Sequence, residues 1–237
     1  MSGVGNAALA IWVDIDPADD TLFEHWHSRE HVQERVACPG WLRGSRFKGV
    51  DRPGRYLLFY DAETLNAFES DAYYARLGDP SAMSRVIFPK FHDTWRLLCS
   101  VEQRRGDGID AAVLTLRMKA GNTAPFEKLA ALETVRVDLL AGHADVGQAP
   151  TTEKGSVGGA GQPDRAGAGR LLLVGRGGAV AARAGGLDLC VEANAVEGRS
   201  ARLAYTRTHR AKIKVAMLSA NQAKIQQKVD TSARMME

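Results

Sequence analysis

The sequence predicts an α+β chain of two successive βαββαβ units, the ferredoxin-like order. Three observations carry this. Apolar runs of period two alternate with helical segments as strand, helix, strand, strand, helix, strand over residues 8–101. A looser copy of the same order follows over residues 111–206. The length, 237 residues, accommodates two such units. The expected division is 1–105, 106–209 and a basic tail at 210–237.

In the first unit, Leu9, Ile11, Val13 and Ile15 alternate with Trp12 and Asp14, as a strand requires. Asp19, Asp20 and Thr21 supply N-cap chemistry for a helix reaching about Ala37, and Pro39-Gly40 ends it. A strand over 41–49, a turn at Asp51-Arg52-Pro53-Gly54 and a strand over 56–60 read as a hairpin. Helical segments fit 63–77 and 82–91, with Pro80 between them, and a fourth strand fits 95–101. The charged, glycine-bearing segment 103–108 marks the boundary. In the second unit, 111–118, 135–140, 171–174 and 201–206 read as strands, and 125–132 and 180–195 as helices. Between its middle strands, residues 147–169 carry seven Gly and two Pro, too little apolar surface to offset ordering, so a mobile loop is expected.

Composition narrows the class. Lys and Arg number 31 against 28 Asp and Glu, a net +3 that supports neither a nucleic-acid nor a membrane partner. The charge is uneven: residues 210–237 carry +4 and the other 209 residues sum to −1. No apolar run approaches a membrane-spanning helix, and the N-terminal stretch does not read as a signal peptide. Cys38, Cys99 and Cys190 lack both pairing and CxxC spacing, so neither a disulfide framework nor a thiolate metal site is indicated, and a reducing cytoplasm is expected. The glycine stretches 155–161 and 175–178 lack the residues of a phosphate loop or a dinucleotide fingerprint.

The chemistry concentrates on the first helix, Phe23-Glu24-His25-Trp26-His27-Ser28-Arg29-Glu30-His31-Val32-Gln33-Glu34-Arg35. At 100° per residue, Phe23, Trp26, His27, Glu30 and Glu34 share one face and His31 flanks it. Three readings stand. His27-x-x-Glu30-His31 spells H-x-x-E-H, a zinc-hydrolase spacing that needs a third ligand. His31 can instead shuttle a proton beside Glu30, with Arg35 holding an anionic oxygen. The helix can also be a solvated charged face with only Phe23 and Trp26 in the core.

The run Phe23-x-x-Trp26-His27-x-x-Glu30-His31-x-x-x-Arg35-x-x-x-Pro39-Gly40-Trp41, followed by Arg46-Phe47, resembles the signature of EthD-like proteins of the dimeric α/β-barrel superfamily. Tyr56-Leu57-Leu58-Phe59-Tyr60, Ser70-x-x-Tyr73 and Asp79-Pro80-Ser81-x-x-Ser84-Arg85 resemble its later elements. His27 departs from the commoner Tyr. The resemblance covers residues 8–103; the second half matches in element order.

The resemblance implies two tandem halves forming one α/β barrel, an intrachain pseudo-dimer. It implies a small apolar or aromatic organic molecule held between sheet and helices, without cofactor. Catalysis, if present, would be cofactor-independent oxygenation or proton transfer. His31, Arg35 and Glu30 are the expected catalytic residues, and Trp26, His27, Arg46, Tyr60 and Tyr73 the expected ligand-binding ones, with no metal. A non-enzymatic accessory or assembly protein that uses its sheets for self-association is the alternative from another class.

Overall fold

A computed structural model describes residues 4–49, 52–106, 108, 112–119, 126–127, 130, 136–147, 149–157, 169–175 and 187–197. The first unit runs β1 (Ala7–Asp14), α1 (Asp20–Trp26), a π-helical turn (His27–His31), α2 (Val32–Val36), β2 (Trp41–Gly49), β3 (Arg55–Ala62), α3 (Asp71–Gly78), α4 (Ala82–Ile87) and β4 (His92–Arg105). Short 3₁₀ turns at Leu65–Glu69 and Phe88–Lys90 precede α3 and follow α4. The second contributes β5 (Ala112–Lys119), β6 (Arg136–Gly142), α5 (Thr152–Ser156), β7 (Gly169–Gly175) and β8 (Leu187–Glu197).

The eight strands close a barrel in the order β1-β3-β2-β8-β5-β7-β6-β4. Every neighbouring pair is antiparallel. Within it, β4-β1-β3-β2 is the spatial order of a βαββαβ unit, and β8-β5-β7-β6 repeats that order with the second set of strands. The seams are β2–β8 and β4–β6, where Gly44 faces Val196 and Ser100 faces Ala141.

Two corrections concern the second half. The helix expected over 180–195 is a strand from Leu187. Leu187, Leu189, Val191, Ala193 and Ala195 fall at every second position, and closing the barrel against β2 and β5 rewards that period over a helical one. The segment 147–169 is not all loop, because Thr151 caps the short helix α5 by accepting from the Lys154 N–H. The strand expected over 201–206 and the tail 210–237 lie outside the described residues. Among the described residues, no helix is long and apolar enough to cross a membrane.

The strands of the first half bury both faces. Leu9, Val13, Tyr56, Leu58, Tyr60 and Leu98 pack outward against Phe23, Trp26, Val32, Phe68, Tyr73 and Phe88 of the helical layer. Ala8, Ala10, Trp12, Phe47, Leu57, Phe59, Leu97, Cys99, Val113 and Leu140 fill the barrel, as an eight-stranded interior requires. Size alternates with register, since Ala10 lies between Phe59 and Leu97. At one end the interior becomes ionic. Arg136 donates to Asp61 at 2.7 Å and to Asp138 at 2.8 Å, and Arg104 donates to Asp138 at 2.7 and 3.1 Å.

The helical layer sits close to the sheet because Gly44 lets it. A Cβ on Gly44 would lie 2.3 Å from Cγ2 of Val32 and 2.8 Å from the Tyr60 ring. Gly44→Ala should therefore lift α2 off β2 and cost about 1–3 kcal/mol, the usual range for overpacking. Urea unfolding of the variant checks this, and an unchanged midpoint would show that α2 has slack.

Candidate functional site

Asp19 is the N-cap of α1, but its side chain makes no cap bond; it accepts from Lys90 at 2.8 Å instead. Asp20 and Glu24 likewise turn to the sheet, where Tyr56 donates to both and Lys48 pairs with both at 2.5 and 3.2 Å. The acidic first turn thus docks the helix while matching its dipole. Its end follows from Pro39-Gly40: Gly40 takes φ 82°, open to glycine at little cost.

Between the ends lies the π turn. The Val32 N–H bonds to the His27 carbonyl five residues back, the wider ring of a π-helix. One residue is in effect inserted, so the buried face moves on by one position. Phe23, Trp26 and His27 are buried, and next come His31, Val32, Arg35 and Val36 rather than Glu30 and Glu34. The straight-helix assignment of Glu30 and Glu34 to the buried stripe is corrected here: both are half-exposed. π turns of this kind recur at functional sites.

The turn gathers six of the eight expected residues. Trp26, His27, His31, Arg35, Tyr60 and Tyr73 are each 4% exposed or less. The His31 ring stacks on Trp26 with centroids 4.3 Å apart and meets the edge of Phe88 at 5.8 Å. The His27 ring lies 5.9 Å from His31, and its Nε2 shares a 3.1 Å hydrogen bond with the Tyr60 hydroxyl. The Arg35 guanidinium lies over the Tyr73 ring at 5.7 Å. Trp26 donates to Ser84 at 3.1 Å, which fixes the indole.

Two expected residues stand apart. Glu30 accepts from the Ser81 hydroxyl and so ties the helix to α4. Arg46 is buried but directed at α1, where it donates to the Glu24 carbonyl and the Ser28 hydroxyl, each at 2.9 Å. One residue was missed. Glu153 of α5, 118 positions along the chain, accepts from Arg35. It lies in the stretch that glycine content marks as loop, and no local pattern connects it to the first helix.

Burial sets the protonation states. Desolvation, together with the charges of Arg46 and Arg35, holds His27 well below its ordinary value. Desolvation, Arg35 and His27 do the same to His31. Both imidazoles are therefore neutral near pH 7, which suits a base. Desolvation pushes the Tyr60 hydroxyl up, so it stays protonated. Arg35 is desolvated as well, but the Glu153 carboxylate together with Tyr73 and Tyr60 more than offsets this and raises it. Burial raises Glu153 in spite of the Arg35 charge.

Among the described residues, three buried polar atoms here have no protein partner: His27 Nδ1, His31 Nδ1 and Arg35 Nη1. Buried polar groups are ordinarily paired, so a group of three in an aromatic shell invites a polar guest. Glu30, the base of an H-x-x-E-H site, turns to Ser81. Among the described residues, no group of three or more His, Cys, Asp or Glu is placed to hold a metal ion.

No protein-family model matches the sequence, and no curated protein matches it. Solved structures are similar in fold. An anthrone oxidase-like protein aligns with a TM-score of 0.53 at 12% identity, over 87% of this chain and 99% of its own. A monooxygenase-like protein of Lactobacillus acidophilus aligns at 0.48 and 8%, over 84% of this chain and 100% of its own. Another, of Fusobacterium nucleatum, aligns at 0.46 and 9%, over 86% and 99%. At 12% identity the likeness establishes architecture and no activity: the chain shares the fold of that anthrone oxidase-like protein, here an antiparallel barrel of eight strands.

Proposed function

We propose that the chain binds a small planar organic molecule against Trp26, Tyr60 and Phe88 and removes a proton from it, His31 acting as base and Arg35 holding the oxyanion that forms. The observation that carries this reading is the trio of unpartnered buried atoms, His27 Nδ1, His31 Nδ1 and Arg35 Nη1, in an aromatic enclosure. A neutral imidazole accepts the proton, and a fixed guanidinium stabilises charge where it develops. Tyr60 and His27 form a second hydrogen-bonded pair that orients the ring system.

Oxygenation extends the same chemistry. A benzylic methylene between carbonyl-bearing aromatic rings, once deprotonated, can reduce dioxygen. The methylene becomes a carbonyl, one oxygen atom is retained and the other leaves as water. The anthrone oxidase-like neighbour makes anthrone the first compound to try. The repeated strand order supports reading the barrel as an internal pseudo-dimer of the EthD-like kind, with residues 1–105 carrying the site.

Anthrone turnover under air, followed by anthraquinone absorbance, tests the reading. His31→Ala should lower the rate by about 10²–10⁴-fold, the usual contribution of a positioned base. His25→Ala, on the exposed side of the same helix, should leave it unchanged. A folded His31→Ala protein that keeps both turnover and anthrone binding would overturn the assignment.

A further inference from the structure

We infer that Glu153 is a built-in occupant of the ligand's anion subsite. On this inference, α5 is a latch that an aromatic carboxylate, or a similar planar oxyanion, displaces from Arg35. The inference rests on the ligand site proposed above and names the chemistry of its ligand.

The Arg35 fork is made for two acceptors. Among the described residues Nη2 donates to Glu153, while the buried Nη1 has no acceptor. A guanidinium fork matches a carboxylate in two parallel hydrogen bonds, so the present contact leaves half of the fork unused. A free ligand carboxylate, not tethered to a backbone, can take both arms.

The attachment of α5 suits a displaceable element. It is five residues long and none of them is buried. Its polar contacts include the Lys154 N–H to Thr151 at 3.3 Å and the Lys154 ammonium to the Gly147 carbonyl and, at 2.7 Å, to the Ala149 carbonyl. Outside the loop, Glu69 accepts from the Gly147 N–H at 3.0 Å, which fixes the near end of the segment and leaves Glu153 farther along. An open groove of about 470 Å³ lies beside this segment, lined by Tyr74, Gly78, Ala149, Pro150, Thr151 and Thr152, so there is free space along the α3–α5 seam.

The charge logic agrees. Glu153 carries a desolvation cost in this position that Arg35 does not fully offset. A bidentate partner would satisfy the fork and return Glu153 to water. A neutral aromatic compound, anthrone included, brings no carboxylate to exchange with Glu153, so it binds only the fraction of chains with the latch open and binds more weakly.

The test compares 1-naphthoate with 1-naphthamide, its uncharged near-isostere, by titration calorimetry on the full chain and on the Glu153→Gln variant. Glutamine keeps the size of the latch and removes its charge. Naphthoate should bind the native chain at least about tenfold more tightly than naphthamide, and Glu153→Gln should tighten naphthoate by about a further tenfold as the competent fraction rises. Amide exchange over 152–156 should speed up when naphthoate is added. Equal binding of the two probes, abolished by His31→Ala, would overturn the latch while leaving the ligand site standing. So would a naphthoate affinity unmoved or weakened by Glu153→Gln. Failure of both probes on both proteins would remove the ligand site itself, and the latch with it.

Discussion

Replacing Asp138 with Ala is expected to destabilise the protein by about 3–5 kcal/mol, the largest effect of any single substitution considered. Asp138 is fully buried and accepts from both Arg136 and Arg104. Removing it leaves Arg136 with Asp61, and Arg104 with the Gly5 carbonyl at 2.7 Å. Each cation then keeps a buried charge with part of its compensation gone, and that uncompensated charge is the source of the cost. The position also matters for topology. Asp61 and Arg104 belong to the first four strands and Arg136 and Asp138 to the second four, so the cluster joins the halves across the barrel interior. Urea unfolding followed by circular dichroism measures the loss. Arg85→Ala, which breaks an exposed pair with Asp79, should cost under about 0.5 kcal/mol in the same assay. A loss from Asp138→Ala no larger than that control would show that the interior admits water.

Acidification should unfold the protein more steeply than an ordinary surface histidine content implies. His27 and His31 titrate near pH 6.5 in the unfolded chain and well below it when folded, desolvation being the first cause for each. Above pH 6.5 both states are neutral and the full stability is present. Below it, the unfolded chain takes up two protons that the native state refuses, so stability falls as pH falls toward the folded values. Each histidine contributes about 1.4 kcal/mol per pH unit, so the pair gives about 2.7. Glu153 works in the opposite direction, because its carboxyl is raised on folding, chiefly by desolvation. Unfolding free energies at pH 7.5, 6.5 and 5.5 should show the drop, and His31→Gln should reduce the slope by about half. A slope indifferent to the substitution would mean that His31 takes up its proton in the folded state.

The π turn links this acid response to the proposed function. The same burial that makes His27 and His31 refuse protons keeps them available as bases near neutrality. Stability and reactivity therefore draw on one structural device. An α-helical register through the turn would have put Glu30 and Glu34 where His31 and Arg35 now sit, with two carboxylates in an aromatic core.

Much of the first half was legible before folding, because its signals are local. Period-two runs marked β1 to β3, Pro39-Gly40 marked the end of the helix, and Gly54 at φ 80° is the turn residue that the hairpin asked for. Trp26, His27, His31, Arg35, Tyr60 and Tyr73 were expected near one another and the structure brings them together. That Glu30 and Arg46 turn away from the cluster is not legible in sequence, because helical phase cannot reveal an inserted residue, nor which way a long cation turns. The strand at Leu187–Glu197 reads as a helix because its alanines, following a run rich in alanine and glycine, hide the alternation until a barrel edge needs filling.

The sequence by itself determined the local elements of residues 8–101 and the residue types available for proton transfer, since capping, turn formation and apolar period are fixed by near neighbours. Only the tertiary structure decided three matters. These are the one-residue shift at the π turn, the Glu153 contact on Arg35, and the shared ionic cluster of Asp61, Arg104, Arg136 and Asp138. Each depends on closing a barrel that brings distant residues into contact, Arg35 and Glu153 being 118 positions apart, and no pattern confined to one segment carries that information.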